Sequence, residues 1–85
     1  MIGGKFREFQ EIFLRPSALD TKTKELLLTA CASVFRCRHC TEAHIKKALE
    51  AGASKEEITE ALLIAALEGA GTQLNWAKDI FEQYL

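Results

Sequence analysis

The residues that could do chemistry are concentrated in one short segment, Cys37-Arg38-His39-Cys40-Thr41-Glu42-Ala43-His44. Two thiols three residues apart can close a disulfide across one turn of the chain. His44 follows Cys40 by four residues, so both side chains share one face if the segment is helical. An imidazole in that position can accept the thiol proton or hold the thiolate in an ion pair. The combination predicts redox chemistry at sulfur.

The order in which the two thiols would react is left open by the residues alone. A helix that begins near His39 places Cys37 at its N-terminus, where the helix dipole favours a thiolate. The spacing to His44 instead favours a thiolate at Cys40. Either way, a thiolate beside a second, resolving thiol is what a peroxide- or disulfide-reacting centre requires. Such a centre needs no organic cofactor.

The composition predicts a small cytoplasmic protein that associates with copies of itself. A single domain of 85 residues has a marginal core, and 48% of this chain is apolar, so some apolar surface is expected between subunits. A net charge of −1 gives no general attraction to nucleic acid or acidic membranes. The start of the chain does not resemble a signal peptide, and the longest apolar run, Ala61 to Leu67, is too short to span a bilayer. Three cysteines in a cytosolic protein favour catalytic, redox or metal use.

The first half of the chain predicts two helices before the cysteines. Three phenylalanines recur at helical spacing, and Pro16 is expected to end this first helix near Arg15. They are Phe6, Phe9 and Phe13. Asp20 is the expected N-cap of a second helix over about 21–35. That helix is apolar on most sides.

The second half predicts three more helices, which gives an all-α five-helix bundle. The third begins near the cysteine pair and ends at Gly52. Ser54 and Glu57 form a capping box that opens the fourth, which is apolar all round. Gly69 and Gly71 are expected to break the pattern before a last helix. The apolar side chains of that last helix are Leu74, Trp76, Ala77, Ile80, Phe81 and Tyr84.

The order and spacing of the chemical residues resemble the alkylhydroperoxidase D-like branch of the carboxymuconolactone decarboxylase family. Glu25 precedes Cys37 by eleven intervening residues, Cys40 follows after two more, and His44 after a further three. His39, immediately before the second cysteine, also matches, and the segment over 48–61 is similar to the helix–turn–helix of the family. Together the matching residues extend over roughly 19–71.

This resemblance implies an all-helical protein that assembles as dimers, trimers or hexamers and reduces hydroperoxides. It assigns the peroxide-attacking thiol to Cys40 and the resolving proton donor to Cys37. Glu25 and His44 would form a proton relay, and His39 would shape the site. The implied reductant is an external dithiol, either a dihydrolipoyl group or a thioredoxin-like protein. Family members that decarboxylate a lactone lack the two cysteines, so the thiols here argue against that activity.

The same residues also allow a zinc site, and Glu25 allows a purely structural role. Zinc could be bound by Cys37, Cys40 and His44, with Glu25 as a fourth ligand from another helix. The usual companion, a second pair of cysteines, is absent from the sequence. On its own, Glu25 is an ordinary acidic residue near a helix N-terminus that Lys22 or Thr29 could pair with.

Two further features of the sequence are Cys31 and a segment with the spacing of a helix-turn-helix. Cys31 lies among apolar residues of the second helix and is expected to fill space in the core. The residues around Gly52 have the spacing of a DNA-binding helix-turn-helix, which makes a binding module an alternative function. The would-be recognition helix over 55–62 carries three glutamates and one lysine, so phosphates would repel it. No nucleic-acid or membrane partner is therefore expected.

Overall fold

The computed structural model describes residues 7–11, 15 and 17–85. Within those residues the secondary structure is helical, without strands, which confirms the all-α prediction. Residues 7–11 form the helical segment α1, and three longer helices follow it. These are α2 (Thr21–Val34), α3 (Arg38–Glu50) and α4 (Lys55–Tyr84). Of the residues used to predict the first helix, Phe6, Phe13 and Pro16 lie outside the described ranges.

Local sequence determines where α2, α3 and α4 begin. The carboxylate of Asp20 caps α2 by accepting a hydrogen bond of 2.7 Å from the backbone N–H of Thr23. At α4, the hydroxyl of Ser54 accepts from the N–H of Glu57 at 3.0 Å, and the Glu57 carboxylate accepts from the N–H of Ser54 at 2.9 Å. This reciprocal pair is the predicted capping box. Gly52 follows α3 with φ of +94°, a conformation that favours glycine.

The prediction of separate fourth and fifth helices was wrong for the described residues, because α4 continues through Gly69 and Gly71 for 30 residues. A glycine inside a helix costs about 1 kcal/mol relative to alanine, which weakens a helix without ending it. The glycines stand among good helix formers, and no proline interrupts the segment. The result is one rod about 45 Å long.

The core is small and lies where α2 meets α3 and α4. Ala48, Ala53 and Ile58 form its buried centre. Three partly buried side chains pack against them: Leu26, Ile45 and Leu62. Small residues allow the helices to approach closely, and Thr29, which is fully buried in α2, satisfies its hydroxyl by donating to the carbonyl of Glu25 at 2.7 Å. The packing therefore fixes α2 against α3 at the level of the chemical residues.

Large apolar side chains are exposed along most of α4. They include Leu63, Ile64, Leu67, Leu74, Trp76, Ile80, Phe81 and Tyr84. The radius of gyration is 16.5 Å, whereas a compact domain of this length has roughly 12 Å. The second half of α4 thus extends beyond the part of the chain that packs on α2. In the ranges that the structure describes, no helix is both long enough and apolar enough to cross a membrane.

Candidate redox site

The turn between α2 and α3 places Cys37 at the start of α3. The N–H of Phe35 donates to the carbonyl of Cys31 at 3.1 Å, and the N–H of Cys37 donates to the carbonyl of Ala32 at 3.1 Å. Arg36 between them has φ of +58°, in the left-handed region that side-chain-bearing residues seldom adopt. This conformation ends α2 and turns the chain, so that Cys37 becomes the N-cap of α3.

Cys37 and Cys40 are joined by a disulfide, with their Cα atoms 5.3 Å apart. That separation lies inside the usual range for bonded cysteines. The backbone N–H of Cys40 donates to Sγ of Cys37 at 3.2 Å. Both the N–H and the hydroxyl of Thr41 donate to the carbonyl of Cys37, at 2.9 and 2.8 Å. The first turn of α3 therefore holds Cys37 by one backbone donor at its sulfur and by two donors from Thr41 at its carbonyl oxygen.

Glu25 of α2 and His44 of α3 meet across the helix interface. Oε2 of Glu25 lies 2.8 Å from Nδ1 of His44, and the two side chains are only 14% and 23% exposed. The Glu25 carboxylate is bound neither by Lys22 nor by the Thr29 hydroxyl. Lys22 forms an ion pair with Glu57 at 3.0 Å, and the Thr29 hydroxyl donates to the backbone carbonyl of Glu25. A carboxylate at Nδ1 favours the proton on that nitrogen, so Nε2 of the neutral ring is the acceptor.

His44 is also the neighbour of Cys40 along α3. The two residues are four positions apart within one uninterrupted helix, so their side chains lie on the same face about one turn apart. Cys40 and His44 are both partly buried. The helices thus bring a carboxylate, an imidazole and a disulfide sulfur to one side of α3. A thiolate, a proton acceptor and a group that orients the acceptor can act together there.

The other predicted residues lie elsewhere. His39 is exposed and lines a separate surface hollow with Ala43 and Lys46. Cys31 is a free, exposed thiol, so the expectation that it fills core space was wrong for the single chain. The cause is that α3 and α4 cover only one face of α2. Thr41 was not singled out from the sequence, although a threonine four residues after an N-cap can donate to that cap's carbonyl.

One ion pair outside the sulfur site, Lys22–Glu57, joins α2 to α4. Hydrogen bonds from Ser54 and then from Lys22 lower the pKa of Glu57, while the Glu57 carboxylate raises the pKa of Lys22. The N–H and hydroxyl of Thr23 lower the pKa of Asp20. The Glu57 carboxylate therefore caps α4 and pairs with Lys22. Glu57 lies at the start of the helix that would read bases in a DNA-binding helix-turn-helix.

The part of the chain that the structure describes contains no preformed cluster of metal ligands. No group of three or more histidine, cysteine, aspartate or glutamate side chains is arranged there to hold an ion. In the disulfide form, moreover, neither sulfur is the thiolate that zinc prefers.

Comparison with known proteins gives one family for almost the whole chain. A model of the carboxymuconolactone decarboxylase family matches residues 4–83. An uncharacterised protein of the cox locus of Paracoccus denitrificans is 39% identical over 70 residues, which are 82% of this chain and 63% of that protein. An alkyl hydroperoxide reductase AhpD of Corynebacterium aurimucosum is 35% identical over 69 residues, 81% of this chain but 38% of the reductase. The chain therefore spans less than two thirds of the length of either relative.

Solved structures give the same result for the fold. A crystal structure of a protein from Methanobacterium thermoautotrophicum has a TM-score of 0.81 and 38% identity, and covers 94% of this chain and 90% of that one. A crystal structure of a carboxymuconolactone decarboxylase family protein from Thermotoga maritima has a TM-score of 0.65 and 32% identity, with 95% and 94% coverage. That Thermotoga protein is possibly involved in the antioxidative response.

Proposed function

The chain belongs to the carboxymuconolactone decarboxylase family, and we propose that within it this protein reduces hydroperoxides by a dithiol–disulfide cycle of Cys37 and Cys40. The observation that carries the proposal is the position of the Cys37–Cys40 disulfide one helical turn before His44, which Glu25 contacts at 2.8 Å. The match to an alkyl hydroperoxide reductase and the antioxidative description of the Thermotoga protein support the same chemistry. The resemblance implies that members which decarboxylate a lactone lack the two cysteines, so the thiols of this chain argue against that reaction.

The first step begins from the reduced pair. Cys40 gives its proton to Nε2 of His44, and its thiolate attacks the terminal oxygen of the hydroperoxide, the one that carries the hydrogen. A sulfur–oxygen bond forms as the oxygen–oxygen bond breaks, so the sulfur loses two electrons and becomes a sulfenic acid. The leaving alkoxide takes the proton from His44 and departs as an alcohol. Glu25 holds the ring in the required orientation and stabilises its protonated form.

The second step closes the disulfide. Cys37 gives up its thiol proton and its thiolate attacks the sulfenic sulfur of Cys40. A sulfur–sulfur bond forms, the sulfur–oxygen bond breaks, and the hydroxyl takes up the proton from Cys37 and leaves as water. The position of Cys37 at the N-cap of α3 favours its thiolate, because the N–H of Cys40 points at Sγ. The two structural preferences thus serve different steps: the imidazole activates Cys40, and the helix N-terminus activates Cys37. An external dithiol returns the pair to the reduced state.

We also propose that the protein works as a homo-oligomer. The groove between α2 and α4 has a volume of about 410 Å³ and is lined mainly by apolar side chains, among them Leu26, Leu27 and Ile64. It continues into the exposed apolar surface of α4. A stable monomer seldom leaves so much contiguous apolar area in water. A second copy would supply matching apolar surface, which supports a dimer, trimer or hexamer.

The proposal is tested by following the fate of each sulfur. Reduced protein treated with one equivalent of an alkyl hydroperoxide should form the Cys37–Cys40 disulfide. The Cys37→Ser variant should stop at a sulfenic acid on Cys40, which dimedone traps and mass spectrometry locates. Cys40→Ser should leave the hydroperoxide unconsumed. Cys31→Ser is the matched control and should behave as the parent. Equal consumption by the Cys40→Ser variant would refute the assignment.

A further inference from the structure

One uncovered side of α4 carries apolar residues at alternating intervals of four and three, the spacing with which two helices pack along a common seam. They are Leu63, Leu67, Ala70, Leu74, Ala77, Phe81 and Tyr84. The five large members of this α4 stripe are between 63% and 74% exposed, whereas Leu62 packs against the core. The α4 stripe is therefore not the side of the helix that α2 covers.

The chain exposes more surface than a single compact copy of its size presents. Its accessible surface is 7240 Å², whereas a folded monomer of this mass exposes about 5,000 Å². The excess is larger than the roughly 800 Å² that each partner buries in an interface of standard size. There is thus enough surface for a stable interface, and the α4 stripe supplies an apolar centre for it.

The residues beside the α4 stripe favour a protein partner over a lipid surface. Six residues flank the stripe, three on each side, and Lys78 is the charged one among them. They are Ile64, Ala66, Gly71, Gln73, Lys78 and Ile80. A helix that lies on a membrane typically carries many basic residues on its polar face. The second half of α4, over 69–84, has one basic residue against two acidic ones.

The order of large and small side chains makes the α4 stripe complementary to a reversed copy of itself. A two-fold axis at the level of Thr72 brings each stripe residue opposite the one that is equally far from Thr72 in the other copy. Leu63 then faces the partner's Phe81, Leu67 faces the partner's Ala77, and Ala70 faces the partner's Leu74. Both alanines meet leucines, which lets facing layers interdigitate without voids. At the ends, the hydroxyl of Tyr84 can donate to the carboxylate of the partner's Glu60.

A parallel pair lacks this complementarity. Each residue would face its own copy, so the layers of Ala70 and Ala77 would leave gaps between crowded layers of larger side chains. Glu60 would also face the partner's Glu60, and the two like charges would repel. The antiparallel arrangement is therefore the favoured one.

We propose that the α4 stripe is the interface with a second copy of this chain, paired antiparallel about a two-fold axis at the level of Thr72. The inference rests on the proposed homo-oligomer and names its surface and orientation. The same patch serves both copies, as a closed two-fold interface requires. Ile64 flanks the stripe and lies beside the partner's Phe81 in this register.

Exchanging a large and a small side chain tests the pairing by sedimentation equilibrium. Leu74→Ala leaves a gap opposite the partner's Ala70 twice in each dimer, so it should raise the Kd at least about 100-fold. Ala70→Leu overfills the same layers and should also weaken the dimer. The double variant Ala70→Leu/Leu74→Ala should return the Kd to within about tenfold of the parent. Asn75→Ala, on the exposed polar side of α4, is the matched control and should associate as the parent does.

The orientation is tested by disulfide cross-linking in a Cys31→Ser background. Chains with Leu67→Cys are mixed with tagged chains with Ala77→Cys and oxidised. The antiparallel pair should give the mixed dimer, whereas a parallel pair would link two copies of Leu67→Cys to each other.

Three results would overturn the proposal: a parent dimer that Leu74→Ala leaves unchanged, the parallel cross-link, or a parent protein that is monomeric at micromolar concentration. In the last case, cosedimentation with vesicles of phosphatidylcholine and phosphatidylglycerol would show that the stripe meets lipid instead. None of these measurements uses hydroperoxide. A protein that consumed hydroperoxide but did not pair through the α4 stripe would refute this inference alone.

Discussion

Replacing Glu25 by glutamine tests the proton relay with the smallest change in shape. The amide keeps the size of the side chain and removes the charge that faces Nδ1 of His44 at 2.8 Å. A hydrogen bond to a charged group contributes about 1.5–3 kcal/mol when it is shielded from water. Only 14% and 23% of the two side chains are exposed, so we expect most of this value to apply. The imidazolium formed in the first step loses that stabilisation, which corresponds to a roughly 10- to 100-fold slower reaction.

The assay is rapid mixing of reduced protein with an alkyl hydroperoxide, followed by acid quench and measurement of the remaining thiols. Glu50→Gln is the matched control, because it makes the same chemical change at the exposed far end of α3. Its rate should equal that of the parent. Circular dichroism checks that both variants keep the helical fold. An unchanged rate in Glu25→Gln, with the fold intact, would refute the relay.

Three further predictions concern stability and assembly. Hydrogen bonds from Ser54 and Lys22 lower the pKa of Glu57 below its ordinary value of 4.5. The Glu57 carboxylate therefore contributes its full stabilisation above pH 4.5, and this is lost as the pH falls through the lowered pKa. In an acid titration, Glu57→Gln should lose less folding stability than the parent. Gly69→Ala places a Cβ where no neighbouring atom lies within 4 Å, so it should stabilise α4 by about 1 kcal/mol and raise the Tm by about 4–8 °C; an unchanged Tm would count against a continuous helix. Ile64→Glu should convert the proposed oligomer to monomer in sedimentation velocity, and a parent protein that is already a monomer would contradict the assembly.

The local signals in the sequence predicted the helix starts well, because each depends on a few adjacent residues. Asp20 and the Ser54–Glu57 pair satisfy backbone donors that any helix N-terminus exposes. Gly52 supplies the positive φ that ends α3. The meeting of Glu25 with His44 was predicted only through the spacing shared with the family, since contacts between helices are not encoded in local periodicity.

The wrong predictions relied on local helix propensity and local apolar composition without the tertiary structure around them. Two glycines lower helix propensity by about 2 kcal/mol in all, yet α4 runs through them without a break. Cys31 looked buried because its neighbours are apolar, but an apolar helix face is covered only where another helix reaches it. The left-handed Arg36 carries no sequence signature of the kind that a glycine gives, so the turn that orients Cys37 could not be anticipated.

The measurement that most directly tests the central claim is a single turnover of the reduced protein with one equivalent of an alkyl hydroperoxide. Free thiols and released alcohol are counted in the same sample. The proposed cycle predicts one alcohol per chain, the loss of the two thiols of Cys37 and Cys40, and retention of the thiol of Cys31. Three remaining thiols, or thiol loss without alcohol, would contradict it.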